Sequence, residues 1–191
     1  MNIKELELDS AFPHDFECKK LAEIPSGKSL YYYPNGTTTG GKDGLIVQLS
    51  PHLHDSWIGV FAFGTISPKG KIGLYSWPIS NCLCVVSLGR GYLVRVDKPT
   101  SYEVISAEPI LDVVPVPDRD LVIFANYTEL IAYGKSGVVW KSKRISWDGI
   151  KITGVSSDHI EGEVWNPRDD ATTSFRVKLI DGSHEGGIDE Y

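Results

Sequence analysis

The sequence has few cysteines, no concentrated positive charge and no long apolar run. It contains 3 cysteines in 191 residues, a small and odd number that predicts reduced thiols rather than a disulfide framework. No window approaches the roughly 18 consecutive apolar residues that a membrane-spanning helix needs. The first residues, MNIKELELDSAFPHDFE, lack a basic segment followed by an apolar one, so we expect no secretory signal. We therefore expect a cytoplasmic protein without a membrane partner.

The net charge disfavours nucleic acid as a partner. The chain carries 25 acidic and 19 basic side chains, which gives a formal charge of −6. Its densest basic stretch is only KSKR, from Lys141 to Arg144. A phosphate backbone would be repelled by this balance. A basic partner protein is easier to accommodate, because complementary charge steers association.

Strand and turn signals fill most of the chain. From Ser29 onward, short runs rich in Val, Ile, Tyr, Phe and Trp alternate with Gly, Pro, Asn, Asp and Ser, and they leave no room for helices. The predicted strands lie near residues 29–33, 44–50, 57–64, 72–76, 82–88, 91–97, 102–106, 110–116, 121–126, 129–133, 137–144, 159–165 and 173–179. The sequence therefore predicts a single all-β domain over residues 29–191, made of mostly antiparallel sheets.

Residues 1–28 are predicted to form a separate helical or irregular segment. In PHDFECKKLAEI, Pro13 suits a first helical position and acids crowd the first turn. Phe16 and Leu21 would share a face before Pro25 ends the helix. We therefore expect one short N-terminal helix in front of the β domain.

Apolar runs recur at a nearly constant spacing. They open at Leu45, Leu83, Leu121 and Ile160, at intervals of 38, 38 and 39 residues. This spacing is close to the blade length of a propeller built from four-stranded sheets. The turns inside the intervals align poorly, however. A β-sandwich, an open barrel and a small propeller-like meander all remain compatible with the pattern.

The segment YGKSGVVW, from Tyr133 to Trp140, resembles a repeat segment of quinoprotein-type β-propellers. In those repeats a small residue, an acid, a Thr-Gly turn and a following Trp mark each blade. The likeness covers residues 133–142, and this sequence lacks the acid and the threonine. The resemblance implies a β-hairpin, and we transfer no cofactor and no binding residue from it. We expect no cofactor.

Two Gly-Lys pairs partly match a phosphate-binding loop. Such a loop needs a glycine five residues before its Gly-Lys pair and a helix directly after it. Glu129 stands five residues before Gly134, so the GKS at 134–136 is predicted to be a hairpin turn. The spacing does occur at 36–42, but Asp43 replaces the magnesium-binding hydroxyl and a strand follows. We therefore predict a flexible, glycine-rich loop there.

PHLHDSW is the densest cluster of metal-ligating side chains. His52 and His54 would point the same way on an extended chain, with Asp55 adjacent to them. Two imidazoles and a carboxylate can bind zinc or iron. Asp55 would point to the opposite face, and no second His-rich motif replaces it. A polar loop is therefore the preferred interpretation, and His52 and His54 are the candidate metal ligands if a metal is bound.

Acidic and imidazole side chains alternate along one predicted strand. His159, Glu161 and Glu163 would line one face, with Cα atoms about 6.5–7 Å apart, a distance at which two acids could flank a glycosidic bond. An amphipathic strand that faces water gives the same pattern. These three residues are the candidate catalytic groups of a hydrolase acting on glycans, which is the enzyme alternative.

Aromatic residues in turns are the remaining functional candidates. Trp147 in ISWDG, Tyr127 in ANYTE and Tyr32 in the YYY triplet lie in or beside turns, and Arg144 is close to Trp147 in sequence. A large ring in a turn has less core to join and more chance to meet a partner. The alternative is that these rings cover sheet ends.

The expected function is that of a non-catalytic protein-interaction domain. The side chains expected to bind the partner are Tyr32, Tyr127, Arg144 and Trp147. An immunity or inhibitor-type protein is one form that such a domain takes. The alternatives are a structural β-repeat module and a hydrolase. Such a hydrolase would act on glycans through the row at 159–163, or would use a metal held by His52 and His54.

Overall fold

The computed structural model describes residues 6–188, and these residues are organised almost entirely in β-strands. Within this range there is no α-helix, only one 3-10 turn, η1 (Pro117–Arg119). The strands form four sheets, mostly antiparallel, and none of the four closes on itself. The prediction of an all-β fold is confirmed. No helix among the described residues is long and apolar enough to cross a membrane.

The chain divides into two compact units, Met1–Ile110 and Leu111–Tyr191. The strands of the first unit are β1 (Leu8–Asp9), β2 (Phe16–Lys20), β3 (Ser29–Tyr33), β4 (Gly44–Pro51), β5 (Trp57–Ala62), β6 (Gly73–Ser76), β7 (Cys82–Ser87), β8 (Arg90–Arg95) and β9 (Tyr102–Val104). Sheet I has the order β2-β4-β5-β3, and sheet II has the order β1-β6-β7-β8-β9. Two pairings are parallel, β3 with β5 and β1 with β6.

The second unit consists of two simple antiparallel meanders. Its strands are β10 (Asp112–Val116), β11 (Leu121–Ala125), β12 (Leu130–Gly134), β13 (Gly137–Lys141), β14 (Lys151–Val155), β15 (His159–Asn166), β16 (Ala171–Lys178) and β17 (His184–Gly186). Sheet III has the order β10-β11-β12-β13, and sheet IV has the order β14-β15-β16-β17. Residues 134 and 137 pair across the β12–β13 connection, so the predicted GKS hairpin turn is confirmed.

The core of the first unit is rich in aromatic rings. Tyr33 of sheet I stacks on Phe61 with a centroid separation of 4.6 Å and an interplanar angle of 3°. Tyr92 of sheet II contacts Phe61 at 5.6 Å, and its hydroxyl donates a hydrogen bond to the Ala62 carbonyl at 2.8 Å. These rings are all buried. The rings join the two sheets because their apolar surfaces are buried against one another, and because the Tyr92 hydroxyl finds a hydrogen-bond acceptor.

A tryptophan joins the two sheets in each unit through the same kind of acceptor. The Trp57 indole N–H donates to the Val96 carbonyl at 2.9 Å, and the Trp140 indole N–H donates to the Leu179 carbonyl at 2.7 Å. Donor and acceptor are 39 residues apart in both cases. Val96 directly follows β8 and Leu179 directly follows β16, so the two acceptors occupy equivalent positions in their sheets.

The spacing of the apolar runs corresponds to one sheet per interval. Leu45, Leu83, Leu121 and Ile160 lie in β4, β7, β11 and β15, respectively. β4, β11 and β15 are the second strands in the orders of sheets I, III and IV. In the five-stranded sheet II, β7 is the second strand of the meander β6-β7-β8-β9. The repeat in the sequence is therefore a repeat of sheets.

The predicted N-terminal helix is wrong. Phe16–Lys20 forms β2, which pairs antiparallel with β4 and places Phe16 opposite Pro51. Phe16 is buried and Cys18 half-buried, whereas Glu17 and Lys19 are exposed. This alternation has a period of two, so the charged side chains belong to the outer face of a strand. Residues 1–5 of the predicted segment at 1–28 lie outside the described residues, and the single domain over 29–191 stays a prediction.

Candidate functional site

Two connections leave the same end of sheet III. The Tyr127 turn (residues 126–129) joins β11 to β12, and the Trp147 loop (residues 142–150) follows β13. In an antiparallel meander β11 and β13 run in the same direction, so their C-terminal ends lie at one edge. The sheet therefore places the two connections side by side.

The Tyr127 turn is shaped by an asparagine. The side-chain Oδ1 of Asn126 accepts hydrogen bonds from the backbone N–H groups of Thr128 at 2.8 Å and Glu129 at 2.9 Å. The Asn126 N–H in turn donates to the Glu129 carbonyl at 3.2 Å. An asparagine that bonds to backbone groups two and three residues on mimics a backbone turn. This geometry presents Tyr127 at the tip, where it is half-buried.

Backbone hydrogen bonds attach the Trp147 loop to the Tyr127 turn. The N–H groups of Ile145 and Ser146 both donate to the Thr128 carbonyl, at 2.7 and 3.2 Å, and the Gly149 N–H donates to the Tyr127 carbonyl at 2.8 Å. Ile145 and Ser146 are fully buried. The base of the loop is thus part of the core, while its tip faces outward.

The tip of the Trp147 loop combines an aromatic ring with a cation. Trp147 is 39% exposed, and the guanidinium carbon of Arg144 lies 4.6 Å from the centroid of its ring. A cation over an exposed ring contributes about 0.5–1 kcal/mol. The contact orders both side chains on the surface.

The local charge at this tip is positive, in contrast to the protein as a whole. Lys141 forms an ion pair with Glu129 at 2.8 Å, so its charge is balanced. Lys143 and Arg144 are exposed and form no ion pair with any described residue, and together with the exposed Asp148 they give the loop a formal charge of +1. The structure therefore places three of the four predicted partner-binding residues, Tyr127, Arg144 and Trp147, on adjoining connections. The fourth, Tyr32, lies in the first unit on β3, where it is half-buried.

The candidate catalytic row lies on the outer face of β15, and each acid has a cationic neighbour. Glu161 is opposite Arg176 in the ladder, with their charged groups 3.4 Å apart, and Glu163 is opposite Lys151 at 3.0 Å. The His159 Nε2 is 3.5 Å from the Glu161 carboxylate. Oppositely charged residues that face each other across strands stabilise a sheet modestly. The row thus forms a half-buried charge ladder, and its catalytic role stays a prediction.

A serine and an aspartate also contact His159, but they do not form a proton relay. Asp158 Oδ1 lies 2.6 Å and Ser156 Oγ 2.8 Å from the same ring nitrogen, Nδ1. A catalytic triad uses opposite ring nitrogens for the nucleophile and the acid. The hydrogen bonds from His159 and Ser156 hold the pKa of Asp158 below its ordinary value. These contacts shape the turn between β14 and β15.

The candidate metal ligands lie in an exposed turn between β4 and β5. His52 and His54 line an open groove of about 160 Å³ together with Asp15 and Asp97. Asp97 is already engaged, because Arg95 donates two hydrogen bonds to it at 3.0 and 2.7 Å. Within residues 6–188 no group of three or more His, Cys, Asp or Glu side chains is arranged to hold a metal ion.

The thiols lie in environments that disfavour the thiolate. Cys82 and Cys84 are buried, Cys18 is half-buried, and all three are free. Burial raises the pKa of Cys18 and of Cys82 to about 11, and it raises the pKa of Cys84 as well. A nucleophilic or metal-binding cysteine needs the opposite shift.

These shifts predict a loss of stability in alkali. The pKa of Cys18 and Cys82 is about 11 in the folded chain against an ordinary value of 9.0. The unfolded thiols therefore ionise first, and the stability that the protonated thiols contribute is present below pH 9 and lost as the pH rises towards 11. Urea denaturation at pH 8 and at pH 10.5 should show a smaller decrease for a Cys18→Ala/Cys82→Ala double variant than for the unaltered protein. Equal decreases would contradict this assignment.

Comparisons with known proteins leave the family open. No protein-family model and no curated protein matches the sequence. A solved structure that matches is a chain of the S. cerevisiae complex of a Dbp5 variant with Nup159, a Gle1 variant, IP6 and ADP. The identity is 10%, the match covers 96% of this chain and 69% of that chain, and the TM-score is 0.30. A TM-score at this level supports no argument about fold or function.

Proposed function

We propose that this protein is a non-catalytic protein-interaction domain, and that the Trp147 loop with the Tyr127 turn is its binding surface. The observation that carries the proposal is the exposed Trp147 ring, stacked with Arg144 on a loop whose base is buried. Tryptophan, tyrosine and arginine are the residues that most often dominate the energy of protein interfaces.

The rigidity of the loop base supports this assignment. Binding is weakened when mobile side chains and loops have to be ordered. Here, backbone hydrogen bonds to the Tyr127 and Thr128 carbonyls fix the loop, and the Arg144 contact orders the ring. Little conformational entropy remains to be lost on association. The surface is therefore suited to an aromatic anchor that inserts into a preformed pocket.

Charge indicates the kind of partner. The overall charge of −6 favours encounter with a basic protein. At the contact itself, Lys143 and Arg144 would face acidic or carbonyl groups at the rim of the pocket that receives Trp147. An immunity or inhibitor-type protein that blocks a basic target is the form of interaction we favour. The three free thiols fit a reducing compartment, and we propose a cytoplasmic location.

The test compares capture by single variants that each replace one exposed side chain by alanine. Tagged protein from the native host should retain a partner, and Trp147→Ala and Arg144→Ala should each lose it. Trp165→Ala is the matched control, because Trp165 is 46% exposed on β15 and outside the proposed surface. Surface changes of this kind should alter the free energy of unfolding by no more than about 0.5 kcal/mol.

Retention of the same partner by Trp147→Ala would contradict the proposed surface. A failure to capture any protein with the unaltered chain would contradict the proposed function. Circular dichroism and urea denaturation of each variant show whether the fold has been preserved.

A structural β-repeat module is the second candidate, and the recurrence of one sheet per 38 or 39 residues favours it. The strand order of sheets III and IV also fits a small propeller-like meander, which we propose as the finer description of the architecture. A purely structural module would show no selective capture, and Trp147→Ala would then change nothing except stability.

A further inference from the structure

A cavity of about 360 Å³ opens on the first unit beside the edge strand β3. Tyr32 and Phe63 contribute aromatic rings to its lining, and Lys42 and Arg90 contribute positive charge. Thr65 and the backbone of Gly40 and Gly41 supply polar groups. Its volume is within the range of about 300–1,000 Å³ that is typical of small-ligand sites.

Glycine is required where the loop meets the aromatic wall. A Cβ atom at Gly41 would overlap the ring of Tyr32, so only glycine lets the backbone lie against this ring. Gly40 has a φ of +74°, a conformation that residues with side chains rarely adopt. The loop therefore closes over Tyr32 and brings Lys42 to the rim of the cavity.

Arg90 has a side-chain hydrogen-bond donor that no described residue accepts from. Its Nε is buried and has no hydrogen-bond partner among residues 6–188. The Glu108 carboxylate is 3.8 Å away, which is close enough for an ion pair but too far for a hydrogen bond. The guanidinium carbon also lies 5.8 Å from the centroid of the Tyr92 ring, so the side chain is held in place. A buried donor without a partner is rare in proteins. Because Nε itself is closed to solvent, a ligand in the cavity would be bound by the remainder of the guanidinium, on a side chain that is 31% exposed.

The second cation of the cavity is also unneutralised. Lys42 is exposed and forms no ion pair with a described residue. Glu108 is the acid that pairs with Arg90, and it balances one of the two positive charges. Lys42 and Arg90 are the charged residues that line the cavity, and both are positive. Glu108 and Asp43, the acid that follows Lys42 in sequence, are not among the lining residues.

We infer that this cavity binds a small aromatic anion, a planar ring that carries a carboxylate or a phosphate. The oxyanion lies between Arg90 and Lys42, because a guanidinium and an ammonium both form strong, charge-assisted hydrogen bonds with it. The ring packs against Tyr32 and Phe63, since aromatic rings favour offset or edge contacts with one another. This site uses none of the residues of the Trp147 loop, so its test is independent of the test of the proposed interaction surface.

Titration calorimetry at low ionic strength with benzoate, phenyl phosphate and inorganic phosphate tests the inference. Benzoate or phenyl phosphate should bind, and Lys42→Gln and Arg90→Gln should each weaken binding by about tenfold or more, as expected for loss of a charged hydrogen-bond donor. Lys19→Gln, which removes an exposed lysine from the outer face of β2, should leave binding unchanged. If Arg90→Gln does not fold, the Lys42→Gln variant alone tests the inference, because Lys42 is exposed and its replacement should leave the fold intact.

Three results would overturn the inference. The first is that neither benzoate nor phenyl phosphate binds. The second is that Lys42→Gln and Lys19→Gln bind a ring anion equally well, which would place the anion elsewhere. The third is that inorganic phosphate binds as tightly as phenyl phosphate, which would remove the role of Tyr32 and Phe63. Amide chemical shifts of Gly40 and Gly41 that move on addition of benzoate would support the location.

Discussion

Replacing Trp140 by alanine should lower the free energy of unfolding by about 3–5 kcal/mol, the usual cost of truncating a buried tryptophan. Trp140 is 6% exposed and belongs to the core that sheets III and IV share. Its indole N–H donates to the Leu179 carbonyl at 2.7 Å, and Leu179 is itself 1% exposed. The alanine variant therefore leaves a cavity and also removes the indole donor of the Leu179 carbonyl. Urea denaturation followed by circular dichroism measures the loss.

The variant Trp140→Phe separates the contribution of the hydrogen bond to stability from the contribution of the side-chain volume. Phenylalanine keeps most of the apolar surface and removes the donor, so we expect a loss of about 1–3 kcal/mol. Trp165→Phe is the control, because the Trp165 indole also donates a hydrogen bond, to Asp170 at 2.8 Å, but both residues are exposed. We expect the control to change the free energy of unfolding by less than about 0.5 kcal/mol. Equal losses at the two positions would show that the Leu179 contact adds nothing to stability.

The strands that could be predicted are those whose side chains alternate or are uniformly apolar. In β15 the buried residues are Ile160, Gly162 and Val164, as the period of two required. In β7 and β11 every residue is buried, in agreement with their apolar sequences. These patterns depend on local sequence and on which faces are covered, so they can be recognised without knowing the strand order.

The strands that were missed have weak local signals or are held by distant partners. β2 has the sequence FECKK, whose charges and preceding proline favour a helix locally, and its pairing with β4 overrides that preference. β1, with only Leu8 and Asp9, exists because it pairs in parallel with β6, 66 residues further along the chain. β14 and β17 are edge strands of sheet IV with mostly exposed or half-buried residues. Local propensity carries no information about such pairings.

The candidate sites also differ in how far the sequence could predict them. The proximity of Tyr127 and Trp147 follows from a meander in which β11 and β13 run in one direction, and the sequence predicts these strands but not their order. The cation pairing of Glu161 and Glu163 depends on the register of β14, β15 and β16, which sequence alone leaves undetermined. The cavity at Arg90 combines residues from β3, a glycine-rich loop and β8. The Gly-Lys spacing at 36–42 marks the loop in the sequence, but no local pattern predicts that it meets β3 and β8.

Replacing Phe61 by alanine should destabilise the first unit by about 3–5 kcal/mol, whereas the same change at Phe63 should cost less than about 1 kcal/mol. Phe61 is fully buried, stacks on Tyr33 at 4.6 Å and contacts Tyr92 at 5.6 Å. Phe63 follows two residues later, just beyond the end of β5, and is 40% exposed. The two variants remove the same atoms from one short stretch of chain, so burial is the main difference between them.

The ring stack explains why the loss at Phe61 should be large. Tyr33 and Phe61 lie on neighbouring, parallel strands, and both contact Tyr92 from the second sheet of the unit. Alanine at position 61 would remove the ring that both tyrosines contact, and the cavity could not close without moving a strand. Near-UV circular dichroism should therefore lose aromatic signal in Phe61→Ala and keep it in Phe63→Ala. Losses of stability of similar size in both variants would mean that this aromatic cluster does not hold sheets I and II together.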